Sequence, residues 1–168
     1  MNSTLILNIF RFIALLALQV AVFNNINFLG YINPLPYILF IILYPVNGNR
    51  AGLLLASFCL GLVMDMFGNS GGVHTTACLI LAYARPSIFR FAFGISYEYQ
   101  TVKIADKLSP ERFTFLLIAI LIHHFTLFFL EIFRFNFFWE ILLRTLLATV
   151  FTLVLSIITL YLIKPSKR

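Results

Sequence analysis

The sequence predicts an all-α integral membrane protein, a single polytopic domain over residues 1–168 with about six transmembrane helices. Two observations predict this class. First, 61% of the 168 residues are hydrophobic and only 11% are charged, whereas a soluble domain carries roughly 25% charged residues. Second, the apolar residues fall in long runs joined by short connections. At about 20 residues per span, the chain has room for six helices and for no separate soluble domain.

Each apolar run carries a local signal. The first lacks a preceding basic segment and a small-residue cleavage site, so we expect a retained helix rather than a signal peptide. The second is bounded by Pro34 and Pro45 and is too short to span unless it extends back toward Phe28. A glycine-rich turn joins the third to the fourth, and Ser109 caps the fifth ahead of a proline. The predicted helices cover about 4–23, 33–46, 51–67, 72–93, 111–133 and 138–163.

The basic residues predict the orientation of these helices. In a six-helix arrangement, one side carries all but two of the twelve lysines and arginines. By the positive-inside rule that side is cytoplasmic, and both termini are expected there. Since the bases follow the topology, the net charge of +6 does not predict a nucleic-acid partner. The bases on this side are Arg11, Arg50, Arg85, Arg90, Lys103, Lys107, Arg112, Lys164, Lys167 and Arg168.

The connection over about 94–110 is the longest predicted loop, and it mixes aromatic with basic side chains. A solvated connection with aromatic anchors is one interpretation. An interfacial segment lying on anionic membrane lipid is another. The third is a docking point for a cytoplasmic protein.

The third and fourth runs are predicted to form a tight hairpin. Gly61 and Asp65 share one face of the third helix at a spacing of one turn, and small residues at that spacing let two backbones approach closely. His74 begins the fourth helix just beyond the turn. Asp65 is interpreted as a cap that accepts backbone N–H groups of the fourth helix. Contact with a partner, or proton or metal chemistry, are the alternatives.

Further polar residues lie in the last two helices. His124 and Glu131 are seven residues apart and share a helix face, with Arg134 close to it. Glu131 with Arg134 and Glu140 with Arg144 are predicted to pair at i,i+3 and i,i+4, either as a neutral cap or as a patch that recognises another protein. Neutral histidines bonded between helices are expected rather than a metal site. A stripe of hydroxyl residues is predicted to form a helix contact at Thr145, Thr149, Thr152, Ser156 and Thr159.

The sequence contains no recognisable catalytic set. We find no Gly-x-Ser-x-Gly, His-Glu-x-x-His, phosphate-binding loop or Gly-x-Gly-x-x-Gly pattern. Three histidines and six acidic residues are few for an enzyme. The prediction is therefore a protein that is not an enzyme and that uses no cofactor or metal.

The stretch 61–86 resembles the rod shape-determining protein MreD family, in its Bacteroidetes-type form. The matching positions are Gly61, Asp65-Met66-Phe67, Gly72-x-His74, Ala77-Cys78, Ala82-Tyr83 and Arg85-Pro86. Outside this stretch, only the chain length, the helical membrane character and the short basic tail match the family.

The resemblance implies a non-enzymatic component of the bacterial cell-elongation (rod) complex in the inner membrane. Members of that family bind MreC, and with it they link MreB filaments to the glycosyltransferase RodA and its penicillin-binding transpeptidase in peptidoglycan synthesis and cell shape. Their fold is similar to the substrate-binding components of energy-coupling-factor transporters. The motif positions Gly61, Asp65, Gly72, His74, Arg85 and Pro86 then become partner-interface candidates, because they shape the hairpin that a partner would contact.

The competing interpretation is a small-molecule transporter, or its substrate-binding membrane component. Asp65, His74, His124 and Glu131 would line its outward-facing cavity, and the 94–110 loop would dock an energy module. No inverted repeat and no pair of broken helices, which many transporters have, is visible in the sequence.

Overall fold

The computed structural model describes residues 2–26, 32–94 and 109–163, and over these ranges the protein is helical with no β-strand. The predicted all-α class is confirmed. Five of the six predicted helices are present at nearly the predicted positions, and the second is represented by a short helical segment. The α-helices are α1 (Asn2–Ala21), α2 (Leu39–Leu43), α3 (Arg50–Gly68), α4 (Val73–Phe93), α5 (Pro110–Ile132) and α6 (Phe138–Ile163).

The predicted cap at Ser109 is confirmed, and α3 begins with a similar cap that the sequence patterns did not indicate. The Ser109 side chain accepts the amide of Arg112 at the start of α5, and the Asn49 side chain does the same for α3. At the end of α3, Asn69 adopts the left-handed conformation with φ of 49°. Gly72 follows at φ of 99°, a conformation that costs glycine little, and it lets the chain reverse directly into α4.

Among the residues that the structure describes, four helices are long and apolar enough to cross a membrane, over Leu5–Asn25, Arg50–Gly68, Pro110–Ile132 and Phe138–Leu162. This shows membrane-embedded character. The helix α4 has a similar length, but it carries a histidine and two arginines and is less apolar.

The second predicted helix is much shorter than the sequence indicates. A 3-10 turn over Pro36–Ile38 leads directly into α2, and together they form what we call the central segment, Pro36–Leu43. Every residue of this segment is buried. At rises of about 2.0 and 1.5 Å per residue, its helical length is roughly 13 Å, less than half of a hydrocarbon core of about 30 Å.

The central segment nevertheless lies on a path from one end of the bundle to the other. The 3-10 turn that follows α1, Phe23–Asn25, and the end of α3 line one common cavity, so both lie at what we call the hairpin end, with the turn at 69–72. The helix α3 begins at the opposite end. The chain from Ile32 to Asn49 must therefore return through the bundle, with α1, α4 and α6 packed around the central segment.

The helices α3, α4, α5 and α6 pack in chain order, each against the next. The predicted hydroxyl stripe of α6 faces this interior, since Thr145, Thr149, Thr152 and Ser156 are all buried. The helix contact predicted for these four residues is thus made within the protein. The interpretations of the 94–110 loop concern mainly residues 95–108, which lie outside the described residues, as do the tail residues 164–168.

Candidate functional site

The Asp65 carboxylate fixes the start of α4. One oxygen, Oδ1, accepts hydrogen bonds from the His74 amide at 2.9 Å and the Ser70 hydroxyl at 2.5 Å. The other, Oδ2, accepts from the Thr75 amide at 2.9 Å and the Thr75 hydroxyl at 2.5 Å. Both amides belong to the first turn of α4, where backbone N–H groups have no carbonyl partner within the helix, and the carboxylate accepts them instead. The predicted capping role of Asp65 is confirmed.

Gly61 allows this cap to form, because it brings the two helix backbones into direct contact. A Cβ atom on Gly61 would lie 2.4 Å from the Thr75 Cα and 2.8 Å from the His74 carbonyl oxygen. Both distances are well below the usual separation of about 3.5 Å or more between nonbonded atoms. The close hairpin predicted from small-residue spacing is present, and no larger residue fits at position 61 without a backbone shift.

A buried chain of polar side chains extends from this hairpin into the centre of the bundle. The Tyr37 hydroxyl lies 2.9 Å from His74 Nδ1 and 3.0 Å from His123 Nε2. We call these three residues the histidine–tyrosine chain. The Cys78 thiol borders it, with its sulfur 3.9 Å from both the tyrosine oxygen and His123 Nε2. The chain ties α4 and α5 to the central segment.

Two further side chains hold the start of the central segment and the two residues just before it. The Thr152 hydroxyl of α6 accepts the Leu35 amide at 3.0 Å and lies 3.1 Å from His124 Nε2. Gln19 of α1 donates to the Pro34 carbonyl at 3.1 Å and accepts the Tyr37 amide at 3.4 Å. Backbone groups inside a membrane protein need such partners, because no bulk water is present to bind them.

Arg85 binds the other end of the central segment. Its guanidinium donates to the Ile42 carbonyl at 3.2 Å and to the Tyr44 carbonyl. It also lies 4.8 Å from the centre of the Phe89 ring. A cation is favourable at a helix C-terminus, where carbonyl groups remain without helical partners. Arg85 is 5% exposed, so this motif position acts inside the bundle, next to the half-buried helical proline Pro86.

A cavity of about 740 Å³ opens at the hairpin end. One part of its wall is polar and includes His74, Ser70 and several asparagines, among them Asn33. Another part is apolar and comes mainly from α3 and α5. Glu131 and Arg144 are the charged residues of the wall within the described chain. The volume is typical of sites for small molecules, which range over about 300–1,000 Å³.

The remaining polar candidates do not form one cluster. His124 is fully buried and bonds to Thr152 and to the Ile120 carbonyl, whereas Glu131, on the same helix face, is exposed at the cavity. Glu140 and Arg144 form the predicted i,i+4 pair at 2.7 Å. In the part of the chain that the structure describes, Glu131 and Arg134 form no ion pair, because α5 ends at Ile132 and the chain leaves the helix before Arg134.

Sequence patterns missed two of the residues that build this site, Tyr37 and Gln19, and for Thr152 they predicted a helix contact but not its hydrogen bonds to Leu35 and His124. Tyr37, Gln19 and Thr152 each bridge elements far apart in the chain. Gln19 offered a signal, as an amide side chain within an otherwise apolar run; it is fully buried in the structure. Over residues 2–26, 32–94 and 109–163, no group of three or more His, Cys, Asp or Glu side chains is placed to hold a metal ion.

No family model, curated protein or solved structure matches the chain. The features of the chain that bear on function are the hairpin, the buried polar chain and the cavity.

Proposed function

We propose that this protein is a non-enzymatic, MreD-like component of the bacterial rod complex in the inner membrane. In this role it binds MreC and helps to couple MreB filaments to peptidoglycan synthesis by RodA and its penicillin-binding transpeptidase. The observation that carries the proposal is the use of the motif residues within the hairpin. Gly61 and Asp65 set the approach of α3 to α4, and Arg85 binds the central segment. Such roles suit a rigid scaffold with a defined outer surface.

The proposal includes a six-crossing topology with both termini in the cytoplasm and a fold similar to transporter substrate-binding components. The path of residues 32–49 through the bundle supports it, because this path returns the chain from the end of α1 to the start of α3. The Arg50 guanidinium lies 5.3 Å from the centre of the Tyr83 ring, and these two residues mark the end of the bundle that we assign to the cytoplasm. A reporter fused to the C-terminus should be active in the cytoplasm, and activity only outside the membrane would overturn the topology.

Partner binding is proposed to use the outer face of the hairpin. Met66 follows the capping aspartate directly and is 75% exposed. It can therefore contact a transmembrane helix of MreC, while its neighbour Asp65 faces inward. An apolar residue of comparable exposure, Leu55 at 66%, lies toward the other end of the same helix and provides a matched control.

Co-purification of the tagged full-length protein in mild detergent tests this function. Recovery of MreC with RodA or its transpeptidase is expected, together with a clear loss of MreC in Met66→Ala and normal recovery in Leu55→Ala. Thermal unfolding of both variants shows whether a loss reflects contact or folding. Failure to recover MreC with the unmodified protein, extracted from its native membrane, would refute the proposal.

The cavity favours a second candidate function, that of a substrate-binding membrane component of a transporter. Its size and its mixed polar and apolar wall suit a small molecule. Recovery of an ATPase pair with a coupling subunit in the same experiment would support this function over the rod-complex proposal.

A further inference from the structure

The cavity at the hairpin end carries a second inference, which is independent of MreC binding and gives the second candidate function its ligand class. Three features of the wall restrict what can bind there: its charge, its hydrogen-bonding groups and its apolar part.

The charge of the wall favours a cation. Arg144 is already held by Glu140 at 2.7 Å. Glu131, in contrast, has neither a hydrogen bond nor an ion pair with any residue that the structure describes. A carboxylate at the edge of a cavity without a protein partner provides the acceptor for a positively charged group, and hydrogen bonds to charged groups are the stronger kind.

His74 adds a hydrogen-bonding group at a defined place. Its Nδ1 is occupied by the Tyr37 hydroxyl, while Nε2 has no partner in the described chain. Nε2 lies 3.9 Å from an ideal Cβ position on Gly68, a residue that also lines the cavity. The free ring nitrogen is therefore at the cavity wall.

The histidine–tyrosine chain determines whether His74 Nε2 donates or accepts a hydrogen bond. Tyr37 has one hydroxyl proton, so it can donate to one of its two histidine partners and must accept from the other. The buried Nδ1 of His123 has no partner among the described residues. A proton on His123 Nδ1 would be a buried hydrogen-bond donor without an acceptor, which costs free energy. The favoured arrangement has His123 Nε2–H donating to Tyr37, and Tyr37 donating to His74 Nδ1. This leaves His74 Nε2–H as a donor toward the cavity.

We propose that this cavity binds a molecule with a primary ammonium group and a neighbouring oxygen acceptor, the chemistry of an ethanolamine-type headgroup. Glu131 binds the ammonium group, and His74 Nε2–H donates to the oxygen. The apolar wall, which includes Met64 and Leu127, contacts the hydrocarbon of an amphipathic ligand. The ligand comes either from the membrane, as an aminophospholipid, or from solution, as a free amino alcohol phosphate.

Native mass spectrometry of the full-length protein tests the proposal. The protein is taken from nanodiscs of phosphatidylglycerol with a minor fraction of phosphatidylethanolamine. We expect one phosphatidylethanolamine molecule to stay bound in preference to phosphatidylglycerol. Glu131→Gln should weaken this retention roughly tenfold, by loss of one charge-assisted contact. Glu111→Gln, the same change at the far end of α5, is the matched control and should leave retention unchanged.

Addition of free phosphoethanolamine distinguishes the two sources. Displacement of the lipid by the free compound assigns the site to a soluble ligand, and persistence of the lipid assigns it to the membrane; both outcomes support the chemistry. Equal retention of the two lipids by the unmodified protein would overturn the proposal, even if the Glu131 variant did not fold. Equal retention of phosphatidylethanolamine by Glu131→Gln and Glu111→Gln would overturn it as well.

Discussion

Replacement of Gly61 by alanine is expected to separate α3 from α4 at the point where their backbones touch. The added methyl group would lie 2.4 Å from the Thr75 Cα, 2.7 Å from the Thr75 amide nitrogen and 2.8 Å from the His74 carbonyl oxygen. Carbon atoms in contact are normally about 3.5–4.0 Å apart. All three contacts are with backbone, so no side-chain rotation can relieve them, and the helices must move apart by roughly 1 Å.

This movement also weakens the cap on α4. The Asp65 carboxylate lies one turn further along α3 and accepts the His74 and Thr75 amides, each at 2.9 Å. A separation of about 1 Å lengthens both hydrogen bonds beyond the usual range of about 2.7–3.2 Å. Overpacking costs about 1–3 kcal/mol, and a hydrogen bond to a charged group contributes about 1.5–3 kcal/mol. We therefore expect the free energy of unfolding to fall by roughly 3–5 kcal/mol.

Thermal unfolding in detergent measures this loss, and Gly68→Ala is the matched control on the same helix. At Gly68 the nearest atom to an added Cβ is the Ser70 hydroxyl oxygen at 3.5 Å, an ordinary contact. The Tm of Gly61→Ala should fall by roughly 10 °C, while that of Gly68→Ala should stay or rise, because alanine favours helix over glycine by about 1 kcal/mol. Similar Tm values for the two variants would refute a backbone contact at Gly61.

Three further substitutions, one of them with a matched control, probe the interior. Tyr37→Phe removes the hydroxyl that joins two histidine rings, and it should lower stability by about 1–3 kcal/mol in thermal unfolding; an unchanged Tm would contradict the buried chain. Thr152→Val deletes the acceptor for the Leu35 amide, just before the central segment, and should destabilise the protein to a similar degree. Thr159→Val, which removes a hydroxyl bonded only within α6, should have little effect, and equal losses would argue against the contact of Thr152. Arg85→Gln should speed hydrogen–deuterium exchange over 39–44, and exchange as slow as in the unmodified protein would show that the carbonyls there need no cation.

The hairpin could be predicted because its determinants lie close together in the chain. Asp65 caps amides nine and ten residues away, and Gly61 belongs to the same spacing pattern. Capping, glycine conformation and small-residue contacts are local rules, so a single sequence contains enough information to apply them. The Glu140–Arg144 pair was predictable for the same reason, since both residues lie within one helix.

The centre of the bundle could not be predicted in this way. The hydroxyl of Tyr37 meets His123 across 86 residues of sequence, and no pattern relates two such positions. The length of α2 was also out of reach, because a short apolar run between prolines fits either a span or an interior segment. The pair of Glu131 and Arg134 was predicted from their i,i+3 spacing, which brings side chains together only within a continuous helix. The helix ends before Arg134, because Phe133 adopts the left-handed conformation.

The hydrogen bond between the Leu35 amide and Thr152 has a consequence for the order in which the protein is made. These two residues are 117 positions apart, and Thr152 belongs to the last helix. While the chain is being inserted into the membrane, the beginning of the central segment has no access to this partner until α6 has been synthesised. Long-range contacts of this kind form late, because the intervening chain must first be brought together. The contacts around the start of the central segment can therefore be completed only after α6 has been synthesised.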